Sequence, residues 1–300
     1  MSVNGGSFRK IGVALAFALG LAGCHGHKKA EAPQARVALW EITDATGPRA
    51  WLMGTVHALP DKTVWLRPEI AKGLGAADRL VLEIGEPLDQ HVAGIALARL
   101  AYTPGMPPPS ERIDPAHKAE LLDVYRRLGV SDDNFTNEEN WAVALQLAAI
   151  AGEKDGQEPG NGVEPALRKL AGKKPVVGME TIDSQFGIFD ALPPRQQQVL
   201  LEQVAVEAAS KDDEDRDMLK LWLKGDEDGI ARESQRGFLA DPGLHAALLS
   251  GRNHDWARQI DAMLRSGARP FVAVGAAHVA GNDGLPALLA ERGWTVRRIP

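Results

Sequence analysis

Trp51-Leu-Met-Gly-Thr-Val-His57 decides how this chain is read. A short apolar run reaches Gly54 and delivers a histidine three residues later. Near the other end, Phe271-Val-Ala-Val-Gly-Ala-Ala-His278 repeats the plan. Each unit leads into a helical pattern and then a further strand, Leu80–Ile84 after the first and Thr295–Ile299 after the second. A strand that stops at a glycine places the next side chains at the carboxyl edge of a sheet, where open α/β sheets hold ligands. The expected fold is therefore one α/β domain with a central mixed sheet. Both ends of the chain supply strands to it, and the middle supplies helices as a cover.

The same periodicities extend outward from these units. Val37–Thr43 and Arg49–Gly54 read as strands about a turn at Asp44–Pro48, and Pro68–Ala77 as a helix. Arg79–Ile84 reads as a buried strand carrying Glu83, and Gln90–Tyr102 as a helix. Pro104–Pro109 is too dense in proline for regular structure, and Pro115–Leu128 is a helix that stops at Gly129. Thr136-Asn-Glu-Glu139 matches a capping box. It is expected to open a helix over Asn137–Ala151 that closes at Gly152 and puts Trp141, Leu145 and Ala148 on one side. Gly152–Gly162 reads as a polar, glycine-rich loop, Val163–Leu170 as a helix and Pro175–Met179 as a strand leading to Glu180. Leu192–Leu223 is helical, with the charged run Lys211–Asp217 as a solvated face or a bend. Asp241-Pro242 starts another helix. Gly251 reads as a break, with Arg252-Asn253 at the junction before a helix over His254–Ser266.

The chain has 300 residues, 44% of them apolar and 25% charged, as in an ordinary folded protein. Its formal net charge of −6, without a basic stripe, argues against a nucleic-acid partner. Arg9 and Lys10 precede the apolar run Ile11–Leu21, too short to span a bilayer but suited to a secretory signal. It ends in Leu21-Ala22-Gly23-Cys24, which looks like the lipobox of a bacterial lipoprotein, and Cys24 is the chain's single cysteine. The expected organisation is a signal peptide over 1–23, a tether over 24–36 and one domain over 37–300. In it Cys24 is acylated and holds the protein to a membrane; the other reading is a soluble protein cut after Gly23. His25 and His27 fall on the tether. His25 in place of aspartate after the acylated cysteine points to the outer membrane, with the domain facing the periplasm. A disulfide has no second cysteine to use.

A glycine followed three residues later by histidine is weak evidence alone, and Gly251–His254 is a third occurrence. His57 and His278 stand apart because both follow β-like runs. Either one alone reads as a packed core histidine; as a pair they read as a site. Two imidazoles with a carboxylate can hold a divalent metal and leave positions for water and substrate. Glu83 is the leading carboxylate, since Val81, Leu82 and Ile84 bury its strand and an ionised group there needs a partner. A metal so held would lower the pKa of bound water enough for hydrolysis.

Taken in order, WLMGTVHALP, LVLEI, GKKPVVGMETIDSQ, GRNHDWA and FVAVGAAHVAGNDGL resemble the TraB/GumN/TIKI family. The resemblance runs from about Trp40 to the C terminus. It implies a fold related to erythromycin esterase and ChaN-like proteins. In the TIKI branch it implies a metal-dependent protease, with manganese or cobalt as supporting metal and zinc a third possibility here. Those roles fall on His57, His278 and Glu83. Further family-pattern positions are Glu180 and Arg252, as catalytic residues, and Glu164, Gln185 and Asn253, as substrate-binding ones. Glu180 would supply a second carboxylate or a base, and Arg252 would orient a substrate carboxylate or an oxyanion. The second motif reads GAAH where GAGH is commoner. The GumN branch takes its name from exopolysaccharide gene clusters, and the TraB branch acts in control of a peptide pheromone. The leading expectation is thus a metal-dependent hydrolase, a peptidase, acting on a peptide or other small envelope substrate. Two others stand beside it: a non-catalytic binding protein for a peptide, saccharide or haem, and a metal-free esterase with a histidine base.

Overall fold

A computed structural model describes residues 35–300 apart from 61, 88–89, 155–160 and 210–217. The signal segment, Cys24, His25, His27 and nearly all of the tether lie outside the described residues. So do the charged run at 211–217 and the middle of the glycine-rich loop.

Six strands form one mixed sheet: β1 (Leu39–Asp44), β2 (Gly47–Thr55), β3 (Arg79–Ile84), β4 (Val176–Glu180), β5 (Pro270–Gly275) and β6 (Thr295–Ile299). Their order is β4-β3-β5-β2-β1-β6. The four strands β4, β3, β5 and β2 run parallel, while β1 and β6 complete the other edge antiparallel. Among the described residues about eleven helices flank the sheet, counting Pro242–Arg265 as one. The parallel strands are apolar on both faces, as strands sandwiched between helix layers must be. Met53, Leu82 and Phe271 pack with the helices Pro68–Ala76 and Val163–Ala171 on one face. Leu52, Val81 and Val272 pack with Gly251–Arg265 and Leu285–Glu291 on the other. A third cluster, built from the helices Lys118–Leu128, Asn140–Lys154, Ile182–Asp190 and Pro194–Ala209, reaches Ile84 and Ala277 at the strand ends. The middle of the chain therefore covers the carboxyl edge of the sheet, as expected.

Two local expectations are corrected. Thr136–Glu139 is not a capping box, and the helix begins at Asn140. Asn137 has φ of 63°, a left-handed conformation that cannot start a helix, and its carbonyl accepts from Thr103 N. Glu139 is spent on Thr103 Oγ1 and Trp141 Nε1 instead. Of the expected face, Trp141 is buried, but Leu145 and Ala148 are only partly so; Ala144 and Leu147 take the inner positions, and the helix runs on to Lys154. Gly251 is not a break either. The helix that starts at Asp241-Pro242 continues through a π turn, Ala246–Ser250, into Gly251–Arg265. A Cβ on Gly251 would lie 2.6 Å from the Ala246 carbonyl oxygen, so glycine is what lets the wider turn close.

Candidate active site

The ends of the four parallel strands carry the charged residues in the order of the sheet. Glu180 ends β4, Glu83 lies one residue from the end of β3, His278 sits in the 3-10 turn Ala276–Val279 after β5, and His57 follows β2. The register sets Ile84 beside Glu180, Leu82 beside Ala273 and Thr55 beside Gly275. Both motif glycines permit close approach. A Cβ on Gly54 would stand 2.9 Å from Ala276 Cα, in the turn that bears His278. A Cβ on Gly275 would stand 2.9 Å from Glu83 Oε1, which accepts from the Gly275 amide.

Arg252 enters from the helix just beyond the π turn and is 8% exposed. Its Nε donates to Glu180 Oε1 and its Nη2 to Glu180 Oε2, both at 2.9 Å. Nη2 also reaches Glu83 Oε2 at 3.3 Å, and Nη1 reaches the Leu248 carbonyl at 3.1 Å and His278 Nε2 at 3.3 Å. A guanidinium has five N–H donors, and these contacts use them all. Trp256, one helical turn on, donates to Glu180 Oε1 at 3.1 Å and lies under the guanidinium at 4.5 Å and beside the His278 ring at 4.4 Å. Gln185 donates to Glu83 Oε2 at 3.4 Å.

The His278 tautomer follows from its neighbours. Arg252 can only donate, so Nε2 accepts. Nδ1 stands 2.6 Å from Asn253 Oδ1, whose amide nitrogen is fixed by donating to the Asp283 carbonyl at 2.8 Å, so Nδ1 carries the hydrogen. Burial pushes His278 down to about 3, with Arg252 and His57 acting the same way against Glu83 alone. It is a neutral imidazole. Burial would raise Glu83, but the His278 ring beside it, the Arg252 and His57 cations and the Gly275 amide overrule it and hold this carboxyl at about 2.

His57 is the most open member, with 18% of its side chain exposed. Its Nδ1 lies 2.8 Å from Glu164 Oε1, which Thr55 Oγ1 also engages. Among the described residues no hydrogen bond is formed to His57 Nε2. Burial would lower this imidazole, yet the charge and hydrogen bond of Glu164, with Glu83 behind them, raise it to about 9. Glu164 comes from the helix Val163–Ala171, locked in place because Val163 N donates to the Val56 carbonyl at 3.1 Å. Four residues further along, Arg168 clamps the carbonyls of Ile84, Gly85 and Glu86 at the end of β3.

The structure thus brings together His57, His278, Glu83, Glu180, Arg252, Glu164, Gln185 and Asn253, while Cys24 lies outside the described residues. Glu164 and Asn253 hold the two imidazoles, each at Nδ1, and Arg252 is consumed in tying two carboxylates. Trp256, Thr55 and Arg168 escaped the sequence reading. Trp256 and Arg168 each stand four residues after a recognised position on a helix, and that spacing was the available signal. His254, of the third glycine–histidine pair, is exposed on the outer face of its helix.

Manganese, cobalt or zinc fits this arrangement on one count and fails on another. An oxygen partner on each Nδ1 is the support a ligating imidazole uses. However, His278 Nε2 and Glu83 Oε2 face the Arg252 guanidinium, a fixed cation. Among the described residues no three His, Cys, Asp or Glu side chains are grouped to hold a metal ion. As arranged, the residues do not fit the metal.

Fold and site together define an α/β protein with a buried histidine–carboxylate–arginine centre at the strand ends. The chain belongs to the TraB/PrgY/gumN family, whose pattern matches residues 38–298. It is similar to the uncharacterized protein YbaP of Shigella flexneri and of Escherichia coli (strain K12). Each is 26% identical over 255 residues, which cover 83% of this chain and 92% of the relative. An uncharacterized protein of Treponema pallidum (strain Nichols) is 22% identical over 271 residues, covering 84% of this chain and 80% of that protein. No solved structure matches.

Proposed function

We propose that this chain is a hydrolase of the bacterial cell envelope, acting on a peptide or another small envelope substrate, with His57 as its proton-transfer residue. The observation that supports this most is the His57 Nδ1–Glu164 Oε1 contact of 2.8 Å at the one open imidazole of a buried charged centre. Ionisable groups gathered in this way are costly to a fold and cluster at functional sites. Glu164 orients the ring and favours its protonated form. Nε2 then gives its proton to the leaving group and takes one from the attacking water, so atoms and charge balance over the cycle. Arg252, Glu83, Glu180 and His278 form the rigid wall behind it. The relationship to erythromycin esterase and ChaN-like folds belongs to the same reading. So does the envelope location: acylation at Cys24, a periplasmic domain and the outer membrane. Among the described residues no helix is long and apolar enough to cross a membrane.

A metal-dependent form of the same hydrolase is the second reading, favoured by the oxygen partner on each Nδ1. It requires Arg252 to withdraw from Glu83 and His278. A quenched-peptide library incubated with tag-free protein tests both. We expect turnover that His57→Ala abolishes while the fold is retained. Wild-type turnover in that variant would remove the proposal, and absence of any turnover would favour a binding protein. Loss of turnover in EDTA, restored by manganese, cobalt or zinc, would select the metal-dependent form.

A further inference from the structure

The chain joins its domain at the edge of the sheet that carries the site. β1 runs antiparallel to β2 and pairs Leu39 with Met53, so the polypeptide enters beside the end of β2, the strand that His57 follows. The join is firm. Ala35 and Val37 are buried, and Arg36 N donates to the Leu223 carbonyl at 2.6 Å. A Cβ on Gly225 would lie 2.2 Å from the Arg36 carbonyl oxygen. Trp222, one residue before Leu223, donates to the Gly54 carbonyl at 2.8 Å and packs on buried Trp65 at 6.1 Å.

Trp65 also brings an apolar surface to this place. Val64 and Leu66, on either side of it, are 63% and 40% exposed, and Val64 is the most exposed large apolar side chain among the described residues. Arg67, next along, donates to the Pro300 carbonyl at 2.8 Å, and Ile299 pairs with Leu39. The segment is thus held at the entry point from two sides. Cys24 precedes Ala35 by eleven positions. Such a length reaches at most about 40 Å when fully extended. Turning the opposite edge of the sheet to a membrane would spend most of that reach running back along the domain, since β2 alone is about 30 Å long.

We infer that Val64 and Leu66 dock on the lipid surface to which Cys24 is anchored, with the carboxyl edge of the sheet, and so His57, turned towards the bilayer. Two exposed aliphatic side chains bind lipid weakly by themselves; the acyl chains on Cys24 supply the attachment, and the side chains fix the orientation. The inference rests on the envelope reading for that anchor. On the hydrolase reading it also names the substrate class, molecules held at the bilayer.

Fluorescence quenching on the acylated full chain tests it. Cys24 is the single cysteine, so once it is acylated an introduced cysteine is the only thiol to label. Arg36→Cys places a label on an exposed residue at the entry point, and Ala45→Cys places one in the exposed turn between β1 and β2, at the opposite edge. The vesicles are of phosphatidylethanolamine and phosphatidylglycerol and carry a headgroup spin label. We expect quenching about threefold or more stronger at the first label, since the length of β2 separates the two. Val64→Asp/Leu66→Asp, which alters only exposed side chains, should lower quenching at the first label about twofold or more. Equal quenching, stronger quenching at position 45, or no effect of the double variant overturns the inference. Mass spectrometry keeps the readings apart. Equal quenching with Cys24 acylated removes the docking alone, whereas an unacylated Cys24 removes the anchor and the docking with it. The optical readout needs no turnover, so a chain that hydrolyses nothing still decides the orientation. A peptide hydrolysed no faster on a vesicle lipid than free in solution would remove the substrate class.

Discussion

Gly54 and Ala276 touch across the join between β2 and β5, with room for a hydrogen but not for a methyl group. The first glycine–histidine motif therefore shapes the second, because Ala276 opens the turn that carries His278. Gly54→Ala should push that turn outward and cost about 1–3 kcal/mol of stability through overpacking. Denaturant unfolding measures the cost. An unchanged midpoint with unchanged His278 chemical shifts would show that the contact is slack.

Arg252 is the cation that Glu83 and Glu180 share. Arg252→Met leaves Glu180 buried without it and Glu83 facing only the His57 cation, and should cost about 3–5 kcal/mol. Arg252→Lys keeps the charge but cannot form the paired contact with Glu180 or reach His278 at the same time. It should fall between wild type and Arg252→Met. Urea midpoints of the three proteins check the order, and a lysine variant as stable as wild type would contradict it.

The His57–Glu164 pair makes stability depend on alkaline pH. The folded imidazole titrates at about 9, above the value of about 6.5 in an unfolded chain. The folded state therefore holds the extra proton between these values. The pair contributes its full stability below about pH 6.5 and loses it as pH rises through about 9. Thermal unfolding across that window should show a fall in melting temperature that His57→Gln largely removes. A parallel fall in both proteins would place the titration elsewhere.

Asn253 decides which nitrogen of His278 carries the hydrogen. Asn253→Ala strands Nδ1 in a buried site and should cost about 1–3 kcal/mol. The nitrogen shifts of the His278 ring should report a loss of the single tautomer, and a retained Nδ1–H signal would mean that another acceptor serves.

Much of this was legible because parallel strands buried on both faces leave continuous apolar runs. Arg79–Ile84 matches its strand end to end for that reason, whereas Thr295–Ile299 matches as an exposed antiparallel edge strand. The carboxylate at Glu83 was legible on the same grounds, as a charge in an apolar run. Gly251 misled because glycine usually ends a helix, and the bond from its own N–H to the Ala246 carbonyl has no signature in composition. Thr136–Glu139 misled because Thr136 Oγ1 donates to the Asp133 carbonyl three residues back, while Glu139 accepts from Thr103 Oγ1, 36 positions away in the loop after Leu100. The division of labour within the site was hidden too. Arg252 looks like a substrate ligand in sequence, and only its full set of contacts shows that it has nothing left to give.

The π turn at Ala246–Ser250 adds one residue to an otherwise regular helix, which rotates everything on either side by about 100° relative to an α-helical path. Arg252, Asn253 and Trp256 face inward only with that extra residue in place, while Leu244 and Leu248 still meet the helical cover. Relatives that shorten this segment by a single codon cannot keep both faces at once. Length here is as constrained as identity, and natural variation should swap residues within Ala246–Ser250 far more readily than it deletes one.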